Sequence, residues 1–310
     1  MAIEPLGDLA AARPVWERLE RATENPFATW MFAEQWWRCV GAGRKLRLSA
    51  VRVDGQVAAL LPVYEAEDTL RLIGHGDADL LGPVCSRDVL PVALRALREL
   101  AAGAGQRLVA DELPGGSHQM LGGEVLRRTS SPVLDIGAGG YEGVLRACSP
   151  KHRRAVRTRE RRLVRAYDVH IRTADAESLT QDLETLFALH RARWGGTTSV
   201  FSGPRRAMHA ELALRALERG WLRLRLLELD GRPVAATYGF RVGDAEWFYQ
   251  TGRHPAAERW SVGKVLLGAS IRLACDEGAA RYRLLRGDQP YKLSWASRDA
   301  PVETVLLPAP

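Results

Sequence analysis

The chain has few cysteines, few lysines and no long apolar run. Cys39, Cys85, Cys148 and Cys275 are scattered without Cys-x-x-Cys spacing. That pattern speaks against a thiolate metal site or a disulfide framework, and for buried thiols in a reducing compartment. No apolar stretch approaches the roughly 20 residues of a membrane-spanning helix. A basic, signal-like start is missing too, since the N-terminal segment carries Glu4 and Asp8. The expectation is a cytoplasmic protein with no membrane span and no metal. What is present is material for a core: 310 residues, 46% hydrophobic and 26% charged, enough for one large domain or two of ordinary size. The net charge of +7, in which arginine greatly outnumbers lysine, favours anionic partners without identifying one.

Taken in order, residues 14–20 and 29–40 have helical spacing, the second with Phe32, Trp36, Trp37 and Val40 on one face behind a Thr29 cap. Strands at 46–53 and 56–64 flank Asp54-Gly55, a strong hairpin signal. A strand at 70–73, a helix at 89–102 and a strand at 107–112 follow. Glycine-rich stretches at 115–123 and 137–140 close the first half. A helix over 149–166 then starts with a Ser149 cap and Pro150 at its first position. Arg153, Arg157, Arg161 and Arg165 are four apart on it and form one basic face. That face is either a solvated linker or a contact for phosphates of a cofactor or RNA. The second half repeats the order more fully: a strand at 169–173, helices at 177–194 and 204–219, and a hairpin at 221–242 over Asp230-Gly231. A strand at 246–251, a helix at 262–277 and strands at 281–285 and 301–307 complete it. The halves share a pattern rather than residues, and the expected division is 1–140 and 141–310.

The stretch richest in chemistry runs from Trp247 to Leu267. Trp247 to Thr251 favours a strand, Gly252 and Pro255 break it, and Val262, Val265, Leu266, Ala269 and Leu273 give the following helix one apolar stripe. A strand leading through a loop into a helix start presents backbone N–H groups and the positive end of a helix dipole, which suits a phosphate or pyrophosphate. Thr251, Gly252, Arg259, Ser261, Val262, Gly263 and Lys264 are the candidate anion-binding residues, with Ser261 as N-cap and Arg259 and Lys264 as added charge. An ordinary β–α connection is the other reading of the same residues.

The order strand, two helices, three antiparallel strands, helix, strand, strand resembles the GNAT acyltransferase fold. Leu189-His-Arg-Ala-Arg-Trp194, Gly220-Trp-Leu-Arg-Leu224, Asp230-Gly-Arg-Pro-Val-Ala-Ala236 and above all Leu285-Arg-Gly-Asp-Gln-Pro-Tyr-Lys-Leu-Ser-Trp-Ala296 look like the CelD/BcsL-type GNAT proteins, relatives of the FemAB aminoacyltransferases. The resemblance covers most of the chain, including Asn25-Pro-Phe and Trp36-Trp37. It implies an α/β fold with a mixed, largely antiparallel GNAT-like sheet flanked by helices, duplicated as two GNAT-like domains, with a degenerate first copy as one reading. It implies transfer of an acyl group from acetyl-CoA or another acyl-CoA to an amine of a small molecule or sugar, with the pyrophosphate held at the 251–264 turn. The general GNAT pattern there is Gln or Arg, two residues, Gly, one residue, then Gly or Ala. With Gly263 in the last place, Ser261 stands at the first glycine and Glu258 at the basic residue, a departure from that pattern.

Acyl transfer to an amine needs a proton acceptor for the amine and a proton for the leaving thiolate, and a backbone N–H on the third strand is a candidate donor to the carbonyl oxygen. Tyr291 lies where many GNAT enzymes keep a tyrosine acid, and an ordinary phenol stays protonated at neutral pH; packing is its other role. Asp288 and Glu246 are the candidate bases, or an ion-pair partner of Arg286 and Lys292 and a solvated strand end, respectively. His190 and Trp194 share a helical face and are candidates to line the acceptor pocket, with a core histidine as the alternative. Arg286, Lys292 and Trp295 are further substrate-binding candidates, the last two equally readable as structural anchors. Two competing expectations stand beside this one: an aminoacyl-tRNA-dependent FemAB-like transferase that applies the arginine face to tRNA, and a catalytically silent GNAT-like protein assisting polysaccharide assembly.

Overall fold

Asp54 and Gly55 (φ 50° and 78°) and Asp230 and Gly231 (φ 50° and 74°) all take the left-handed backbone that a two-residue hairpin turn requires. Each pair closes a hairpin in a different unit of the computed structural model, which describes residues 1–195 and 200–310. Unit one is Met1–Ser130 with Ala300–Pro310, and unit two is Ser131–Asp299.

Unit one runs β1 (Ala2–Pro5), α1 (Leu9–Glu20), α2 (Trp30–Val40), β2 (Lys45–Leu46), β3 (Ser49–Val53), β4 (Gln56–Leu61), β5 (Val63–Ala66), β6 (Thr69–Leu72), α3 (Leu90–Ala104), β7 (Arg107–Pro114), α4 (Ser117–Leu121) and β8 (Glu124–Thr129). α1 starts earlier than the spacing predicts, because Asp8 caps it (Oδ1 accepts from the Ala11 N–H at 2.7 Å) and Pro14 is carried inside it. Pro62 has no N–H to give a ladder, and the strands on its two sides enter different sheets: β1-β3-β4, and a larger sheet holding β2, β5, β6 and β7. β6 and β7 are parallel, with α3 between them in the chain.

Unit two runs β9 (Pro132–Asp135), α5 (Gly140–Ala147), α6 (Pro150–Ala166), β10 (Val169–Thr173), α7 (Leu179–Trp194), α8 (Pro204–Glu218), β11 (Leu222–Leu229), β12 (Arg232–Val242), β13 (Ala245–Arg253), α9 (Val262–Asp276), β14 (Arg281–Arg283), α10 (Pro290–Leu293) and β15 (Arg298–Asp299). Its strands follow the order β10-β11-β12-β13-β14-β9-β15, antiparallel except for β13 and β14, which α9 connects. Ala235 packs with Val262, Val265 and Leu266 of α9. Its neighbour Ala236 pairs with Gly252, which lies directly beneath the α7 backbone. Alternation along a strand therefore places α7 and α9 on opposite faces.

The chain's last strand, β16 (Val302–Leu307), pairs with β7 and β8 and completes the larger sheet of unit one. The sequence pattern placed it with the second half. Its Glu303 is buried and accepts from the His118 backbone N–H at 2.7 Å and from Arg128 at 3.1 Å. Each unit thus carries one helix-linked parallel pair in an otherwise antiparallel sheet, the mixed α/β, GNAT-like architecture expected.

Candidate functional site

β13 and β14 pair only through Ala245–Arg281, Glu246–Tyr282 and Trp247–Arg283, and β13 continues past them to Arg253. On its other side the register with β12 jumps at Tyr238/Gly239, leaving Tyr249 without a cross-strand partner, a bulge that bends the strand. Phe248, where the strands diverge, packs in one cluster with Leu267, Leu284 and Trp295, and Tyr291 leans on the same cluster. Leu267, Trp295 and Tyr291 also line a cavity of about 400 Å³, whose remaining walls come from α6 and its cap, Lys264 of α9, and Pro290 and Ser294 at the two ends of α10.

The first turns of α6 are fixed by Ser149, whose Oγ accepts the His152 N–H at 3.2 Å, with Pro150 at the first helical position. That start turns Lys151, His152, Val156 and Arg159 to the cavity, opposite Lys264 of α9. The His152 ring stands edge-to-face on Trp295, centroids 4.6 Å apart at 85°. Its Nε2 is shielded from solvent and has no hydrogen-bond partner among the described residues. Burial, then Arg159 and Lys264, hold the imidazole pKa below its ordinary value. From α10, the Tyr291 hydroxyl bonds Arg193 of α7; burial raises the phenol pKa, and Arg193 only partly opposes it. Arg193 itself reaches the Thr251 carbonyl at 3.5 Å.

At the turn into α9, residues 255–260 form a short 3-10 segment and Ser261 is left-handed (φ 56°, ψ 33°). In that conformation its hydroxyl does not cap the helix, contrary to the sequence expectation. Three of the five amides over 261–265 are engaged: Ser261 donates to Glu258 O at 2.8 Å, and Lys264 and Val265 donate to Ser261 O at 2.9 and 3.1 Å. At most Val262 and Gly263 therefore have N–H groups to offer an anion. The Val262 side chain is fully buried, so only its backbone is available. A Cβ at Gly263 would meet only Arg253 Cδ, at 3.6 Å. Glu258 is tied to Arg253 at 2.5 Å.

Tyr291, Trp295 and Lys264 are brought together at the cavity, and Ser261, Val262 and Gly263 sit one turn before Lys264. Arg259 is exposed beside Trp260, its guanidinium 5.6 Å from the ring. Other expectations are corrected. Glu246 is not a solvated strand end: it is 1% exposed and gripped by the equally buried Arg225, one of whose two bonds is 3.0 Å, an ion pair rather than a carboxylate facing the cavity. Burial pushes the Glu246 carboxyl pKa up against the pull of Arg225 and Arg223, and the carboxylate does not line the cavity. Asp288 is exposed on the loop before α10, off the cavity wall. Lys292 is buried and its Nζ donates to the Leu285 and Arg286 carbonyls, anchoring that loop; Arg286 takes part through its backbone oxygen. His190 is buried, bonded to Gln250 and set edge-to-face on Phe201, with its pKa pushed down to about 4 by burial. Trp194 is 55% exposed, under the Arg193 guanidinium. Thr251 Oγ1 bonds Ala236 O at 3.0 Å. Gly252 is demanded by α7, since a Cβ there would lie 2.4 Å from His190 N.

The predicted basic face of α6 does not look into the cavity. Arg153 donates to the Leu145 and Arg146 carbonyls, Arg157 pairs with Glu142 at 3.0 Å, and Arg161 donates to Arg157 O. The cavity residues Lys151, His152 and Arg159, and Arg193 behind Tyr291, were not singled out by sequence. The signal for the first three was present only as the other face of α6, while Arg193 lies on α7. Among the described residues no helix is long and apolar enough to cross a membrane, and no group of three His, Cys, Asp or Glu side chains is placed to hold a metal.

Residues 150–293 match the family model described as Acetyltransferase (GNAT) domain. FemX is similar at 12% identity over 98% of this chain and 97% of its own, with a TM-score of 0.65. L-PGS from Bacillus licheniformis is similar at 12% identity over 89% and 91%, TM-score 0.58. A tandem GNAT protein from the clavulanic acid biosynthesis pathway is similar at 13% identity over 100% and 98%, TM-score 0.52. At such identities these likenesses establish the fold alone. No curated protein matches the chain. Residues 150–293 are thus similar to GNAT acetyltransferase domains, and the chain as a whole has a GNAT-like mixed α/β fold.

Proposed function

We propose that unit two transfers an acyl group from an acyl-CoA to an amine of a small molecule or sugar. The observation that carries this reading is the cavity. It has cations at Lys151, Arg159 and Lys264 and an apolar wall of Val156, Leu267 and Trp295, and it ends at a phenol. A donor with a phosphate-bearing end and a long, weakly polar arm has matching chemistry, and about 400 Å³ lies in the range of small-molecule sites. The Val262 and Gly263 amides at the start of α9, with Arg259 and Lys264, are the proposed pyrophosphate contacts. Tyr291 is the proposed acid: its raised pKa keeps the proton at neutral pH, and Arg193 holds the hydroxyl in place. Trp295 and His152 shape the reacting end. The catalytic role is assigned to unit two, and a cytoplasmic setting, where acyl-CoA is made, suits the reading.

A second reading, an aminoacyl-tRNA donor, is favoured by one feature: Arg154, Arg161, Arg162 and Arg165 are exposed along α6 beyond the cavity wall. Thermal unfolding with acetyl-CoA, a longer acyl-CoA and charged tRNA separates the two. A donor at 100 times its Kd stabilises the fold by about 2.7 kcal/mol. Stabilisation by acyl-CoA is the expected result, and stabilisation by tRNA alone would eliminate the first reading.

A further inference from the structure

We propose that His152 is the base that takes the proton of the acceptor amine, an assignment that rests on the acyl-transfer reading above and deepens it. The titratable side chains lining the cavity are Lys151, His152, Arg159, Lys264 and Tyr291. Lysine and arginine cations have no lone pair to offer a proton, and Tyr291 is a phenol whose burial disfavours ionisation. The carboxylates that sequence suggested are elsewhere, Glu246 locked on Arg225 and Asp288 out on an exposed loop. That leaves the imidazole.

Its setting supports the assignment. Ser149 fixes the backbone of His152, and Trp295 fixes the ring edge-to-face. Nε2 is then left shielded and, among the described residues, without a partner, a costly state for a polar atom unless a partner arrives with the substrate. The groups facing it are Lys151 and Arg159 on its own helix, Lys264 on α9 and Tyr291 on α10. Burial and the two cations Arg159 and Lys264 keep the ring neutral, and so able to accept, at pH 7.

An acceptor ammonium gives one proton to His152 Nε2 and becomes the free amine. The amine nitrogen bonds the thioester carbonyl carbon and the C–S bond breaks. The thiolate takes the Tyr291 proton, and the second proton lost by the nitrogen restores Tyr291. The products are amide, thiol and a His152 imidazolium, which releases its proton to solvent. Phosphates of a bound donor offset Lys264 and Arg159, so the His152 pKa rises in the complex. The acid limb of kcat, which reports the complex, then lies at higher pH than that of kcat/KM, which reports the free enzyme.

The test uses the full chain, acetyl-CoA, and glucosamine and a simple alkylamine as acceptor probes, followed by thiol release. In H152Q, kcat/KM should fall roughly 100-fold and its acid limb should disappear, while the thermal shift given by acetyl-CoA stays within twofold of wild type. A ring-proton NMR titration of His152 with and without acetyl-CoA provides a readout independent of turnover. The histidine should bind its proton at higher pH in the complex than without donor. Wild type that acetyl-CoA neither stabilises nor acylates overturns the acyl-CoA reading and this assignment with it. If the donor binds but H152Q keeps the acid limb, or the His152 pKa does not rise on donor binding, the assignment alone is overturned.

Discussion

Gly252→Ala separates two uses of a glycine at this site. The new Cβ would lie 2.4 Å from His190 N, 2.6 Å from Leu189 C and 2.9 Å from Leu189 Cβ. Ordinary contact begins at 3.4 Å, so α7 would have to retreat from β13 by about 1 Å. Two of the three atoms are helix backbone and cannot rotate away. Overpacking usually costs about 1–3 kcal/mol, and a clash of this kind belongs at about 3. For a unit of this size each kcal/mol moves the melting temperature by about 2–4 °C, so the drop should be roughly 6–12 °C. Circular dichroism melts with and without acetyl-CoA measure both quantities at once. Gly263→Ala is the counterpart. Its Cβ has room, with only Arg253 Cδ at 3.6 Å, and alanine suits a helix better by about 1 kcal/mol. It should leave the fold intact while loosening the donor if the ligand approaches the backbone there. An unchanged melt in Gly252→Ala, with donor binding lost, would refute the reasoning and return Gly252 to the ligand.

Other perturbations read the same geometry. Glu246→Gln removes the nearest carboxylate from the 1%-exposed Arg225 and leaves it only Glu277, at 3.5 Å, which should cost about 3 kcal/mol, the lower end for a broken buried pair, in urea unfolding; wild-type stability with abolished turnover would make Glu246 a base after all. His209 is fully buried with both ring nitrogens unpartnered among the described residues, and burial pushes its pKa down to about 3. Because its folded pKa lies below the unfolded one, the unfolded chain binds the proton first. Stability is therefore present above about pH 6.5 and is lost as pH falls toward 3, with His190 adding to the loss down to about 4. His209→Phe should flatten that acid slope in unfolding titrations, and an unaltered slope would count against it. Tyr291→Phe should slow turnover about 100-fold with donor affinity kept; undiminished turnover would remove Tyr291 as the acid.

How much of this was legible in the chain depends on how far each signal reaches. The Asp-Gly turns were readable because the positive φ angles they need are a property of two adjacent residues. The passage from β13 to α9 was readable for the same reason: its breaks and its apolar stripe are local. Ser261 shows where local reading stops. A serine before an apolar helix looks like a cap, but the 3-10 turn before it leaves the residue left-handed, and its carbonyl, rather than its hydroxyl, accepts the Lys264 and Val265 amides. Glu246 needed the register: only the alignment of β11, β12 and β13 carries Arg225 to it, across 21 residues of chain.

The arginine repeat on α6 pointed to the wrong face for a related physical reason. Spacing of four identifies residues that share a side, yet it says nothing about which side meets the rest of the fold. That is decided by what must be buried, and on α6 the buried positions are Val156 and Leu163, seven apart. They turn the helix so that His152 and Arg159, one turn before and after Val156, look inward with it. The repeat Arg153, Arg157 and Arg161 is left to the α5 end and solvent. Two apolar residues among the cations of this helix therefore set the chemistry of the cavity wall. Val156→Arg tests this directly: if burial of that one position sets the helix rotation, the variant should lose acetyl-CoA stabilisation together with a few °C of melting temperature. Retention of both would mean that α6 is held by something other than its apolar pair.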